Sequence, residues 1–80
     1  MRLPRDLTGA ELIGRLSRLG YSQTRQVGSH VRLTCNSPRQ HHISVPLHDP
    51  LRIGTLAAIL SDVAEIHGMA RDTLLERLFG

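Results

Sequence analysis

A chain of 80 residues, 40% of them hydrophobic, is long enough for a single domain (residues 1–80) with one core and a shallow site, but too short for a deep cofactor cleft. It has no apolar run of membrane-spanning length, no secretory signal at its N-terminus and a single cysteine, Cys35, so an internal disulfide is excluded and a cytoplasmic location without membrane contact is expected. All 10 basic residues are arginine, against 7 acidic residues, and the arginine fork favours a nucleic-acid partner, although a codon bias toward arginine would give the same composition.

The first predicted element is a helix over Gly9–Leu19. Thr8 and Glu11 have the spacing of a capping box, in which each side chain accepts a hydrogen bond from the other residue's backbone N–H. The leucines and the isoleucine of this segment fall on one helical stripe. Gly20 follows and suits the left-handed conformation that commonly ends a helix.

Three strands are predicted next, because apolar and polar residues begin to alternate. The alternation is clear in residues 30–35 and 42–45 and weaker in residues 21–27, which suit an edge strand. The pair Gly28 and Ser29 predicts a two-residue hairpin with glycine at the first central position of a type II′ turn. A longer polar turn follows the second strand, and the result is an antiparallel meander.

The register of the first strand is not decided by the sequence. A strict two-residue turn pairs Val27 with His30, and regular alternation from there makes Tyr21 face outward, although it is the one aromatic residue of the sheet. A β-bulge in the first strand would turn Tyr21 toward the core. The sequence is compatible with either arrangement.

Two further helices are predicted over residues 54–67 and 71–78. The order is α-β-β-β-α with an extra short C-terminal helix, an α+β fold whose helices cover one face of the meander. The other face is left to solvent or to a partner and is expected to carry no large apolar side chain. Its predicted members are His30, Arg32, Thr34, His42 and Ser44.

His30 is the candidate for chemistry on this face. Arg32 lies two residues further along the strand, and Arg25 lies across the hairpin. A neutral imidazole between arginines can take the proton of a ribose 2′-hydroxyl while the guanidiniums hold the phosphate. An exposed strand histidine without a task is the commoner case, and no triad accompanies it. Arg39, at a turn tip, is either solvated or in contact with a backbone phosphate.

No metal site is predicted. His41 and His42 are neighbours on a strand, so their side chains point to opposite faces. Cys35, His42 and His48 could converge, but their spacing matches no zinc pattern. His67 suits the last turn of a helix, where a structural role is expected, and Cys35 is expected to be buried and inert.

Four blocks of sequence together resemble one known family. They are Leu-Gly-Tyr (19–21), Arg-Gln-Val-Gly-Ser-His (25–30), Val-Pro-Leu-His (45–48) and Gly-Thr-Leu-x-x-Ile-Leu (54–60). In this order they resemble the HicA-like (YcfA-type) toxins of type II toxin–antitoxin systems. The resemblance covers about residues 8–67.

The resemblance implies a double-stranded-RNA-binding-domain-like fold, ribosome-independent cleavage of mRNA and a HicB-type antitoxin partner. This antitoxin is expected to cover the His30 face in a hetero-oligomer. No metal or other cofactor is expected, because the arginines can offset the charge. The resemblance also implies that His30 is the catalytic residue. The alternative is a non-catalytic RNA-binding or protein-interaction module on the same fold. The residues expected to contact RNA, from their match to the hairpin or their position around it, are Arg25, Gly28, Ser29, Arg32 and Arg39.

Overall fold

A computed structural model of the chain describes residues 2–80. The elements in chain order are α1 (Gly9–Leu16) with a 3₁₀ turn (Ser17–Leu19), β1 (Ser22–Val27), β2 (His30–Cys35), β3 (His41–Pro46), α2 (Ile53–His67) and α3 (Arg71–Phe79). The predicted α+β class and the α-β-β-β-α order with an additional C-terminal helix are confirmed.

Helix α1 begins at the predicted capping box. The Glu11 backbone N–H donates to Thr8 Oγ1 at 3.0 Å, and the Thr8 backbone N–H donates to Glu11 Oε1 at the same distance. A Cβ atom at Gly9 would overlap the carbonyl oxygen of Pro46. The start of α1 therefore lies directly against the end of β3, and only glycine fits at that point. The last turn of the helix predicted over Gly9–Leu19 is a 3₁₀ turn, and the chain leaves it at Gly20, which has a φ of 92°.

The sheet has the strand order β1-β2-β3, with both pairs antiparallel. His30 opens β2 opposite Pro46 of β3, and it also lies opposite Val27 of β1. The β1 register shifts between Gln23 and Arg25. Of the two arrangements compatible with the sequence, the one with a β-bulge in β1 is therefore present. Beyond the bulge the Tyr21 side chain points inward, and its relative exposure is 4%.

The turn between β1 and β2 has the predicted geometry. Gly28 has a φ of 59°, and within residues 2–80 Asp6 is the one non-glycine residue with a positive φ, so Ser29 keeps a negative φ. A positive φ at the first central position alone is the mark of a type II′ turn, whose twist matches that of the flanking strands.

The helices pack on β2 and β3 and leave β1 exposed at all six positions. Leu74, Leu75 and Leu78 make α3 part of the single hydrophobic cluster, each with 0% exposure. Arg15 and Arg18 each donate to the Leu78 carbonyl oxygen at 3.2 Å, which satisfies an unpaired acceptor at the end of α3. Among the described residues no single helix has both the length and the apolarity to cross a membrane; α2 and α3 would pass that test only together, and they are bent by 106°.

Candidate functional site

The face of the sheet that the helices leave uncovered brings the predicted constellation together. His30 and Arg32 are exposed, whereas Val31 and Leu33 between and beside them are buried. Arg25 lies directly opposite Arg32 on the neighbouring strand. Because opposed residues of antiparallel strands project to the same side, both arginines share the face of His30.

This face also carries the net charge of the protein. Residues 20–48 contain no aspartate or glutamate, and their three arginines are Arg25, Arg32 and Arg39. The remaining seven arginines are balanced by the chain's 7 acidic residues, so the formal charge of +3 comes from the sheet and its turns. An anionic partner is therefore drawn toward the sheet rather than toward the helices.

The backbone around His30 is held from both sides. The Gln26 side chain donates to the Gly28 carbonyl at 3.0 Å, which braces the hairpin turn. The Leu47 backbone N–H donates to the Ser29 carbonyl at 2.6 Å, which extends the β2–β3 ladder past His30. The imidazole is thus exposed on a fixed stretch of backbone, as a group that must meet a substrate in one orientation requires.

The prediction that this face carries no large apolar side chain is wrong. Val27 lies opposite His30 and is 63% exposed. The bulge shifts β1 only beyond Arg25, so the residues next to the turn keep the pairing of a strict two-residue hairpin. An apolar side chain therefore stands next to His30, where it offers a contact for a ribose or a base.

A polar row crosses the sheet further from the turn. His42 Nδ1 lies 2.8 Å from Thr34 Oγ1, which lies 2.8 Å from Oγ1 of the bulge residue Thr24. His42 is opposite Thr34, four residues along β2 from His30 and therefore about 13 Å away. His42 shares the face of His30, but it is too distant to act on the same phosphodiester. Arg32 lies about 7 Å from His30 along the strand and stays within reach of the same phosphodiester.

His48 lies at the His30 end of the sheet, a position that the sequence analysis does not predict for it. It follows Pro46, the partner of His30, by two residues, and its carbonyl accepts from the Gly9 backbone N–H at 2.9 Å. Its side chain is exposed at the same end of the sheet as His30. The antiparallel register of residue 30 with residue 46 was the signal that could have found it.

Arg39 is not brought to His30. It lies in the turn between β2 and β3, at the end of the sheet where Cys35 is opposite His41. Five residues of β2 separate that end from His30, which is about 17 Å. Arg25, Gly28, Ser29 and Arg32 surround His30, whereas a contact of Arg39 with RNA requires a strand that runs along the whole sheet.

A second group of polar side chains meets at the Arg39 end, on the inner side of the sheet. Tyr21 Oη lies 2.7 Å from His41 Nε2 and 3.1 Å from His67 Nε2, and Cys35 is buried beside them. Burial, with a smaller effect of Cys35, raises the pKa of Tyr21 to about 12. Burial and then the nearby His41 and Arg77 lower the pKa of His67. Cys35, His42 and His48, the convergence weighed in the sequence analysis, do not meet. His42 lies on the outer face of the sheet and His48 at its His30 end.

A family model described as the HicA toxin of bacterial toxin–antitoxin systems matches residues 9–64. The match spans α1, the three strands and most of α2, so it contains the whole His30 face and His48. Searches of curated proteins and of solved structures gave no match.

Proposed function

The chain belongs to the HicA toxin family of bacterial toxin–antitoxin systems, and from this premise we propose that it is a ribosome-independent endoribonuclease that cleaves mRNA with His30 as its catalytic residue. The observation that carries the proposal is an exposed histidine on a fixed backbone, in a sheet segment (residues 20–48) that has three arginines and no aspartate or glutamate. A single hydrophobic cluster supports the assignment of residues 1–80 to one toxin domain.

In the proposed reaction, neutral His30 takes the proton of a ribose 2′-hydroxyl, and the oxygen attacks the adjacent phosphorus. The bond to the 5′-oxygen of the next nucleotide breaks, and that oxygen takes up a proton. The products are a 2′,3′-cyclic phosphate and a free 5′-hydroxyl. Arg32 and Arg25 stabilise the negative charge on the phosphoryl oxygens, so the scheme needs no metal. In this scheme His48, exposed at the same end of the sheet, supplies the second proton.

The RNA is proposed to approach along the sheet face. The Gly28-Ser29 turn has no bulky side chain and lets the sugar–phosphate backbone come close to His30. Arg25 and Arg32 contact the phosphate whose bond is cleaved, and Val27 contacts a sugar or base. Arg39 engages only RNA long enough to reach the far end of the sheet.

The antitoxin is proposed to be of the HicB type and to cover the His30 face. A partner surface with acidic residues would complement the three arginines of the sheet, and coverage of His30 would exclude RNA. The proposed location of the pair is the cytoplasm, where the mRNA substrate is found, without membrane contact.

The proposal is tested by incubating the purified chain with a defined single-stranded RNA and analysing the product ends by mass spectrometry. We expect 2′,3′-cyclic phosphate and 5′-hydroxyl ends, formed equally in the presence of a chelator. RNA in which the 2′-hydroxyls are replaced by hydrogen should stay intact. RNA binding that weakens with salt but is never followed by cleavage would instead establish a non-catalytic binding module.

A further inference from the structure

Three potential metal ligands from three different elements meet on the inner side of the sheet. Cys35 ends β2, His41 opens β3 directly opposite it, and His67 is the last residue of α2. Their ligand atoms all lie within 4.8 Å of one another. This cluster is separated from His30 by the length of β2, about 17 Å, and plays no part in the proposed cleavage.

The hydrogen bonds fix which ring nitrogen of His41 faces the cluster. His41 Nδ1 lies 2.7 Å from the Arg39 carbonyl oxygen. A carbonyl oxygen can only accept, so Nδ1 carries the proton and Nε2 presents its lone pair to the cluster. A ligating histidine in metal sites is oriented in the same way, by donating its other ring N–H to a carbonyl or carboxylate.

Tyr21 fills the space between the two imidazoles. Its hydroxyl has one proton, which it donates to His41 Nε2 at 2.7 Å, so the 3.1 Å contact with His67 requires His67 Nε2 to be the donor. The Cys35 thiol, a weak donor, faces the carbonyl oxygens of Leu19 at 3.5 Å and Ser37 at 3.2 Å. A metal ion in the cluster would therefore replace two weak thiol hydrogen bonds and the hydrogen bond from Tyr21 to His41.

We propose that Cys35, His41 and His67 form a Zn²⁺ site. One thiolate and two imidazoles are donors that zinc prefers, and the last turn of α2 presents the negative end of the helix dipole to the cation. Tetrahedral zinc with bonds of about 2.0 Å to nitrogen and 2.3 Å to sulfur sets its ligand atoms roughly 3.5 Å apart. Side-chain movements on the order of 1 Å therefore close the site from its present spread.

Binding follows a simple proton balance. The Cys35 thiol loses its proton to solvent, and the His67 proton moves from Nε2 to Nδ1 through solvent. The Tyr21 hydroxyl turns away from His41 Nε2 and flanks the fourth position. The bound ion joins the ends of β2, β3 and α2, so its effect is on the stability of the fold.

The test uses the full chain, free of any affinity tag, with His30→Ala so that cells tolerate its expression. The metal-free chain is titrated with Zn²⁺ by calorimetry and with Co²⁺ by absorption spectroscopy. We expect one equivalent of either ion per chain, a higher thermal midpoint with Zn²⁺, and a thiolate-to-cobalt charge-transfer band. Because the chain has one cysteine, that band reports Cys35 alone.

Variants then separate the cluster from the other histidines. Cys35→Ser and His67→Gln should lower the Zn²⁺ affinity at least tenfold, whereas His42→Gln and His48→Gln should leave it within twofold. Loss of affinity in His42→Gln or His48→Gln equal to that in Cys35→Ser would overturn the assignment. If the Cys35 or His67 variant does not fold, the spectrum of the parent chain decides alone, since a cobalt complex without the charge-transfer band contradicts a site at Cys35.

Discussion

Replacing the arginines of the sheet face should change how RNA affinity depends on salt. Arg25 and Arg32 lie opposite each other beside His30, and Arg39 lies at the far end. Each phosphate contact on single-stranded RNA contributes about −0.7 to the slope of log affinity against log salt. Three contacts predict a slope of roughly −2, Arg32→Gln should make it shallower by about 0.7, and Arg25→Gln with Arg32→Gln should leave about −0.7.

The assay is fluorescence anisotropy of a labelled single-stranded RNA at several salt concentrations, with His30→Ala in every chain so that the RNA stays intact. Arg77→Gln is the matched control, because Arg77 is an exposed arginine of α3 on the helical side. RNA too short to span the sheet should lose the contribution of Arg39 and keep those of Arg25 and Arg32. An unchanged slope in the double variant, or an equal change with Arg77→Gln, would show that RNA binds elsewhere.

Three further predictions concern the scaffold that holds this face. Gly9→Ala should lower the free energy of unfolding by about 1–3 kcal/mol because its Cβ meets the β3 backbone, whereas Gly14→Ala, in open space within α1, should raise it by about 0.5–1 kcal/mol; urea denaturation measures both, and equal effects would refute the close approach. Leu75→Ala should cost about 2–5 kcal/mol, and a neutral result would show that α3 is not part of the core in solution. The hydrogen bond from the Thr8 backbone N–H lowers the pKa of Glu11, so the stabilisation from the Glu11 carboxylate is present above its unfolded pKa and is lost as the pH falls through its folded pKa. The difference in free energy of unfolding between the wild-type chain and Glu11→Gln should therefore shrink in acid, and an increase would contradict the capping role.

The elements could be predicted because their signals are local. The capping box at Thr8 and Glu11, the glycine after each of the first two helices and the type II′ turn at Gly28 depend on residues close in sequence. Their positions in the structure agree with the sequence prediction to within about one residue at most boundaries. The alternation of apolar and polar residues in β2 likewise predicts that the side chains of His30 and Arg32 face away from the core.

The long-range arrangement could not be predicted in the same way. The bulge near Thr24 depends on whether burying Tyr21 against His41 and His67 outweighs a regular ladder, and those histidines are 20 and 46 residues away. The group of Cys35 with His41 and His67 likewise depends on contacts between residues far apart in sequence, and the sequence analysis weighed Cys35 with His42 instead. Alternation in the third strand puts His42 on the outer face and His41 on the inner face, but which residue of β2 lies opposite His41 depends on the β2–β3 register.

The distribution of histidines over the sheet also needed the register. His42 shares the face of His30, but its position opposite Thr34 places it about 13 Å away. His48 lies in an irregular loop, where no periodicity indicates a direction. Only the pairing of His30 with Pro46 brings it to the His30 end of the sheet.

The central claim is that His30 breaks RNA, and single-turnover cleavage of one RNA by matched variants tests it most directly. The wild-type chain, His30→Ala and His42→Ala are compared at equal concentration, with circular dichroism to show that all three are folded. We predict that His30→Ala lowers the cleavage rate by at least a hundredfold while RNA affinity changes little, and that His42→Ala cleaves like the wild-type chain. Cleavage by folded His30→Ala at the wild-type rate would contradict the account.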